Sequence, residues 1–290
     1  MDRKGNHLRV FQSGAFHCIA HPNDHEHNRG VFAMVGVRGA LSQDPEARRR
    51  RAILAKKRRQ KSIRHASLRR TAEEHRNAII ANWPWTPADV WHDSEQIPDE
   101  PVVQYDAGWF IGTLFNDSDT IWTGKEHESG CDGKFASHWK TCCEWQQSER
   151  IGPMVTPCTY APGTTSRAKD FVLTAPFTVL DFDGFDGIKP VTATEIQHHL
   201  LTSFAFLRWL REDLGWKLAA ILHTGSVSLH AWFHTPSVDV LESLKITAPV
   251  FGIDAGLIGH PEHPCRLPGV THHKTGNKSS VLWLKNKTNL

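Results

Sequence analysis

Two short stretches in the second half of the chain alternate between apolar and polar residues. In Thr178-Val179-Leu180-Asp181-Phe182-Asp183, bounded by Gly184, a strand places Val179, Asp181 and Asp183 on one face and Leu180 and Phe182 on the other. In the second stretch Val227, Leu229, Ala231 and Phe233 alternate with Ser228, His230, Trp232 and His234. Each predicts a strand with one face in a core and one face lined with polar chemistry. Between them, Thr192-Ala193-Thr194-Glu195 has the form of a capping box, followed at helical spacing by Ile196, Leu200, Phe204, Leu207, Leu210 and Leu214, with Gly215 as the stop. A strand over 218–223, a turn at Thr224-Gly225-Ser226, a helix capped by Ser237 and reaching Lys245, and one more strand in the tail complete the series. The order strand, helix, strand, strand, helix, strand predicts an α+β unit over 176–290 with an RRM-like βαββαβ plan.

The first half is patterned differently. From about Asp44 to Asn82 there is no Gly and, after Pro45, no Pro, while Ala, Arg, Lys, Glu and Gln dominate, which predicts one long helix over 44–82. Its apolar positions are sparse (Ile53, Leu54, Ile63, Leu68, Ile79, Ile80), so its first half has little to bury and should project or lie on a surface. Pro84, Pro87, Pro98 and Pro101 mark a turn-rich crossing that Trp83, Trp85 and Trp91 anchor by packing. The apolar runs 108–115 and 120–123 read as short strands of a smaller α/β half over 83–175. Residues 1–43 have no clear structure; 31–37 is a candidate strand, and His21, His25 and His27 belong to a loop rather than a metal site, having no thiol or ligand spacing around them.

Composition is that of an ordinary soluble globular protein, with 39% hydrophobic and 22% charged residues. The N-terminus lacks a signal peptide's apolar core and no apolar run approaches the roughly 18 residues needed to span a bilayer, so the expectation is a cytoplasmic protein without a membrane partner. Charge changes the picture more. Residues 48–70 hold nine Arg, three Lys and no acid, a local +12 that leaves the rest of the chain at −9 against a total of +3. A basic strip on an otherwise acidic chain is the pattern of a polyanion contact, which makes Arg48, Arg49, Arg50, Arg51, Lys56, Lys57, Arg58 and Arg59 candidates for nucleic-acid phosphates.

The candidate chemistry lies on the alternating strands. Two carboxylates two apart on one strand face suit Mg²⁺ or Mn²⁺, which prefer oxygen ligands shared with substrate phosphates. Apolar flanks make that face an expensive place for two like charges unless a cation compensates. Ser228 and His230 repeat the two-residue spacing with groups able to donate hydrogen bonds to phosphate. Asp254 is a third candidate carboxylate, and Arg266, in Arg266-Leu267-Pro268-Gly269, with Lys274 and Lys278 could hold a triphosphate. The six cysteines, without a secretion signal, point to thiols or ligands rather than disulfides. Cys131, His138, Cys142 and Cys158 are candidate zinc ligands, but there is no Cys-x-x-Cys and Cys142 is adjacent to Cys143, so buried or free thiols are the preferred reading.

In the order Asp-x-Asp, Ser-x-His, late Asp, Arg-x-Pro-Gly, these pieces resemble the catalytic motifs of the archaeo-eukaryotic primase superfamily, closest to the primase-polymerases of plasmids, phages and other mobile elements. The motifs cover about a third of the chain, and the stretches around Trp122-Thr123-Gly124 and Ser166-Arg167 are similar with less specificity. The resemblance implies an RRM-like half and a smaller N-terminal half around a cleft, with Asp181, Asp183 and Asp254 holding two divalent metals. It implies that Ser228, His230 and Arg266 contact the phosphates of an NTP or dNTP and that single-stranded DNA template and primer are partners. Many members are fused to a helicase; this chain ends soon after the motifs, so the expectation is a separately encoded helicase. This chain has Ser226-Val227 where some members carry a basic residue. A metal-dependent glycosyltransferase would also use Asp-x-Asp but leaves the basic helix and Arg-Leu-Pro-Gly unexplained. A catalytically silent nucleic-acid-binding accessory would not need all three carboxylates.

Overall fold

The computed structural model describes residues 8–10, 16–18, 26–27, 45–96, 103–125 and 138–285. The candidate strand at 31–37, His21, His25 and Cys131 lie outside them, and His27 is exposed. The chain divides into two compact units, Met1–Ile63 and Arg64–Leu290. The first holds an antiparallel pair, β1 (Leu8–Val10) and β2 (Phe16–Cys18), and the opening half of α1 (Pro45–Asn82). Helix α1 spans the predicted residues, with Pro45 in its first turn, where no intrahelical N–H is required. Ile53, Leu54 and Ile63 are exposed, and the first buried side chain along the helix is Ala72, followed by Ile79.

The second unit continues from the C-terminal part of α1 into α2 (Pro87–His92), α3 (Ala107–Leu114) and β3 (Thr120–Gly124). After these come β4 (Trp139–Thr141), α4 (Cys142–Gln146), β5 (Met154–Val155), β6 (Thr159–Tyr160) and β7 (Val172–Thr174). Then follow β8 (Phe177–Phe182), α5 (Ala193–Glu212), β9 (Leu218–His223), β10 (Leu229–His234), α6 (Val238–Thr247), β11 (Cys265–Arg266) and β12 (Ser280–Leu284). The architecture is α+β with antiparallel sheets: a four-stranded sheet in the order β12-β9-β10-β8, and a sheet in the order β11-β5-β3-β6-β7 with β4 paired to β3. Among the described residues no helix is long and apolar enough to cross a membrane.

The stretch at 108–115, expected as a strand, is helix α3. Asp106 caps it by accepting from the Trp109 N–H at 2.9 Å, and the run is apolar on every side because Phe110, Ile111, Leu114 and Phe115 are all buried. A segment buried all round shows neither period, so its apolar run alone did not separate helix from strand. The helical prediction at 192–214 holds: Thr192 and Glu195 form the capping box, and α5 ends before Gly215, whose φ of 67° suits a residue without Cβ. Ser237 occupies the N-cap position of α6 without a side-chain hydrogen bond.

Strands β8, β9 and β10 form a split β-α-β unit, with β10 antiparallel between the other two. One face, carrying Leu180, Phe182, Leu229, Ala231 and Phe233, packs with Phe204, Leu207 and Leu210 of α5 and with Ala72 and Ile79 of α1. The face expected to carry only chemistry is also a core face. Phe177, Val179 and Trp232 pack there with Phe110, Ile111, Val155 and Cys265 from α3 and the second sheet. The fourth strand, β12, lies beyond β9. The free edge of β8 is instead met by the segment after α6, through an antiparallel bridge between Phe182 and Ile253. That edge contact brings Asp254 to the acidic pair.

Candidate active site

The site is built where β8 ends. Asp181 is the penultimate residue of β8 and Asp183 follows the strand. The Asp254 N–H donates to the Asp181 carbonyl at 2.8 Å, and the Asp183 N–H donates to the Gly252 carbonyl at 2.9 Å, so backbone pairing fixes the third carboxylate beside the first two. Gly252 is left-handed, with φ 76°, which lets the chain leave the 3-10 turn Ala248–Phe251 and enter this edge.

Across the sheet, His230 is the register partner of Asp181, with Nε2 3.7 Å from Oδ1. The Asp181 side chain is 18% exposed and that of His230 11%. Neither Asp181 Oδ1 nor His230 Nδ1 has a hydrogen-bond partner among the described residues. Burial, with Asp183 and Asp254 as like charges, pushes the Asp181 carboxyl up to about 7 against a relieving pull from Lys189. Burial and the nearby Arg266 guanidinium push His230 down to about 4, opposed by Asp183. The imidazole is therefore neutral at pH 7, with Nε2 toward Asp181 and Nδ1 left without a partner among the described residues. Arg266 comes from the other sheet, where β11 pairs with β5, so the site draws on both sheets.

Ser228 precedes β10 and its hydroxyl donates to Asp183 Oδ1 at 3.0 Å, orienting a carboxylate rather than standing free for phosphate. Asp254 is exposed, and its Oδ1 accepts from the Gly256 N–H at 2.7 Å. Lys274 is exposed in the loop between Thr271 and Lys278, its charge acting on His272; Lys278 is exposed too. The structure thus brings together Asp181, Asp183, Asp254, Ser228, His230 and Arg266, while among the described residues Lys274 has no ion pair with the carboxylates.

Lys189 was missed by sequence reasoning. Its ammonium pairs with Asp183 Oδ2, and the two residues line one recess with Asp254 and Ile253. The available signal was Gly184-Phe185-Asp186-Gly187, a turn sequence directly after Asp183 that returns the chain toward the acids. His199 was missed as well: buried in α5, it sits 3.1 Å from the Phe182 carbonyl through Nε2 and edge-on to Phe185, and burial pushes it down.

The three described zinc candidates are occupied separately. His138 Nδ1 lies 2.9 Å from the Thr123 carbonyl, the Cys142 thiol donates toward the Ile111 carbonyl at 3.5 Å, and Cys158 is buried against Trp122, Trp139 and Tyr160 with its thiol pushed up to about 11 by burial. Among the described residues no group of three or more His, Cys, Asp or Glu stands in an arrangement that could hold a metal ion. For the acidic set two contacts account for this: Lys189 lies on Asp183 and Asp254 is turned to Gly256. Carboxylate oxygens remain the donors that a hard divalent cation prefers, and the charges of Asp183 and Asp254 act on Asp181, whose buried Oδ1 lacks a partner among the described residues. Arg167 stacks 4.5 Å over the Trp122 ring, joining the two stretches that the motif resemblance singled out.

In α1, Arg48, Arg49, Arg50, Lys56, Lys57, Arg58 and Arg59 are exposed and Arg51 is half-buried. The basic strip is not wholly without acids: Arg50 pairs with Glu46, and Arg69 reaches Asp186 at 3.4 Å. Scanned against models of protein families, the curated proteins and the solved structures, the chain matches none.

Proposed function

We propose that the chain is a primase-polymerase, joining a nucleotide from an NTP or dNTP to a nucleic-acid 3′-hydroxyl on a single-stranded DNA template. The observation that carries this reading is the backbone pairing that sets Asp254 beside Asp181 and Asp183 at the β8 edge, where like charge acts on a buried Asp181 whose Oδ1 has no partner among the described residues, with a neutral imidazole alongside. The split β-α-β arrangement of β8, α5 and β9, with β10 between the two strands, and the primase motif order support the same reading, although β12 pairs with β9 rather than with β8 as in an RRM sheet. Asp181, Asp183 and Asp254 would hold Mg²⁺ or Mn²⁺, which when bound lowers the pKa of the attacking hydroxyl and neutralises charge on the polyphosphate. Ser228 holds Asp183 in orientation through its hydroxyl. His230, neutral and enclosed, donates one N–H to a phosphate oxygen without adding charge to the acidic site. Arg266 supplies the positive charge that such a phosphate requires. Base pairing with the template selects the nucleotide, while exposed cations of α1 take backbone phosphates. A helicase would supply the single strand, and the basic strip is the part of the chain suited to that strand.

One alternative has specific support. Lys189 already neutralises Asp183, and Asp254 is tied to its own turn, as in a nucleic-acid-binding accessory that needs no metal. Primer extension on a single-stranded template with Mg²⁺ or Mn²⁺ separates the two. Template-dependent incorporation that disappears in D181A/D183A supports the polymerase; binding without incorporation supports the accessory.

A further inference from the structure

Lys189 is held at the acidic recess by a loop with little freedom. Gly184 has φ 145°, and a Cβ there would collide with the Ile188 carbonyl oxygen and come within 3.0 Å of the Lys189 Cα. Only glycine permits the chain to fold back this closely after Asp183. The Ile188 N–H then donates to the Phe185 carbonyl at 2.9 Å, closing the turn. Asp186 is the one non-glycine with positive φ among the described residues, at 51°. It is clamped by Arg69 at 3.4 Å and Arg76 at 3.7 Å. Arg76 also donates to the Val250 carbonyl at 3.2 Å, on the turn that leads to Asp254. The loop and the third carboxylate are therefore braced by the same arginine.

This construction delivers an ammonium to Asp183, inside the recess that Asp183 and Asp254 line. The Lys189 side chain is 67% exposed while that of Asp183 is 27% exposed. An exposed lysine in an ion pair is weakly held and has a flexible stem with which to leave. A divalent cation interacts with the clustered carboxylates more strongly than one ammonium does, and gains from all of them at once.

We propose that Lys189 is the resident counter-ion of the acidic recess, and that a divalent cation binds there by displacing it from Asp183. The inference rests on the metal-dependent reading of the site, but its test does not rest on catalysis. Mn²⁺ binding to the full chain, followed by the loss of the free-Mn²⁺ EPR signal, is compared for wild type, K189M, D183N and D183N/K189M. Removing the competitor in K189M tightens Mn²⁺ binding by about two- to fivefold, the scale of an exposed ion pair. In the D183N background the same substitution has a clearly smaller effect, because the ammonium has lost its ion-pair partner and acts only through its longer-range pull on Asp181 and Asp254. Equal affinity in wild type and K189M, or weaker affinity in K189M, overturns the displacement and leaves the polymerase reading standing. Absence of Mn²⁺ binding in both wild type and K189M overturns the two together. Should K189M fold poorly because three acids are left uncompensated, K189Q, with a neutral polar head, provides the same comparison, and circular dichroism establishes that it is folded.

Discussion

The opening half of α1 and the end of β8 hold charge in opposite ways. Along α1, cation follows cation on a helix whose side chains from 52 to 64 are all exposed, so each charge keeps its water. At β8, Asp181 and His230 lie on the core face they share with Val179 and Trp232, and each is driven toward its neutral form by burial. Exposed charge is inexpensive to fold and acts through ionic strength. Buried charge costs stability and is kept only where a cation, a substrate or a fixed partner compensates. Under the proposed function, the first region would hold a polyanion without reading it and the second would change a bond.

The sharpest way to break this contrast is to remove the buried acids. D181A/D183A should lower template-dependent incorporation by about 100- to 1,000-fold or more. Binding to single-stranded DNA in a filter or anisotropy assay should change little. Retained incorporation would mean that the acids at β8 are structural. The complementary experiment reverses Arg48, Arg49, Lys56 and Lys57 to Glu. If each meets a phosphate, the slope of log affinity against log salt should flatten by up to about 2.8, at roughly 0.7 per contact for single strands. An unchanged slope would remove α1 from the nucleic-acid interface.

A thermodynamic test follows from the two shifted groups. Asp181 has its folded pKa raised to about 7, so between about 4 and 7 the folded state holds a proton that the unfolded chain has released. This contribution makes stability fall as pH rises through that window. His230 has its folded pKa lowered to about 4, so between about 4 and 6.5 the unfolded chain holds the extra proton. This contribution makes stability rise with pH. The two nearly cancel from about 4 to 6.5, each being worth roughly 1.4 kcal/mol per pH unit. Denaturant unfolding at several pH values should show D181N gaining stability relative to wild type as pH rises, and H230Q losing it. Parallel curves for the three proteins would mean that neither group is buried as described.

How much of this was legible in the sequence differs between the two regions and within the second. The long helix was readable because its composition excludes Gly and Pro, and its exposure followed from Ile53, Leu54 and Ile63 having no companions at helical spacing. Strands β8 and β10 were readable from alternation, and α5 from its capping box. What could not be read was the burial of the polar face, since Val179 and Trp232 meet residues from α3 and β5 that lie far away in sequence. Asp254 was recognised as a candidate, but its route to Asp181 depends on an edge bridge that no local pattern encodes. Lys189 was invisible for a related reason: its position is set by a glycine turn and by Arg69 and Arg76, more than a hundred residues upstream. The expected role of Ser228 shifted because a hydroxyl two residues from a histidine says nothing about a carboxylate on the neighbouring strand.

The smallest expected effect tests the other side of the comparison. Glu46 pairs with Arg50 one turn along α1, with side chains 69% and 74% exposed. Such i,i+4 pairs stabilise a helix by about 0.2–0.5 kcal/mol and are screened by salt. E46Q should therefore shift unfolding by no more than about 0.5 kcal/mol, and the difference should shrink in high salt. The same substitution removes an acid from the helix carrying the +12 segment, so single-stranded DNA affinity should rise slightly at low salt and converge with wild type at high salt. A large loss of stability in E46Q would show that this charge is held in a fixed, partly desolvated network. The opening of α1 would then resemble the end of β8, and the division between solvated and enclosed charge would fail at the point where it is cheapest to test.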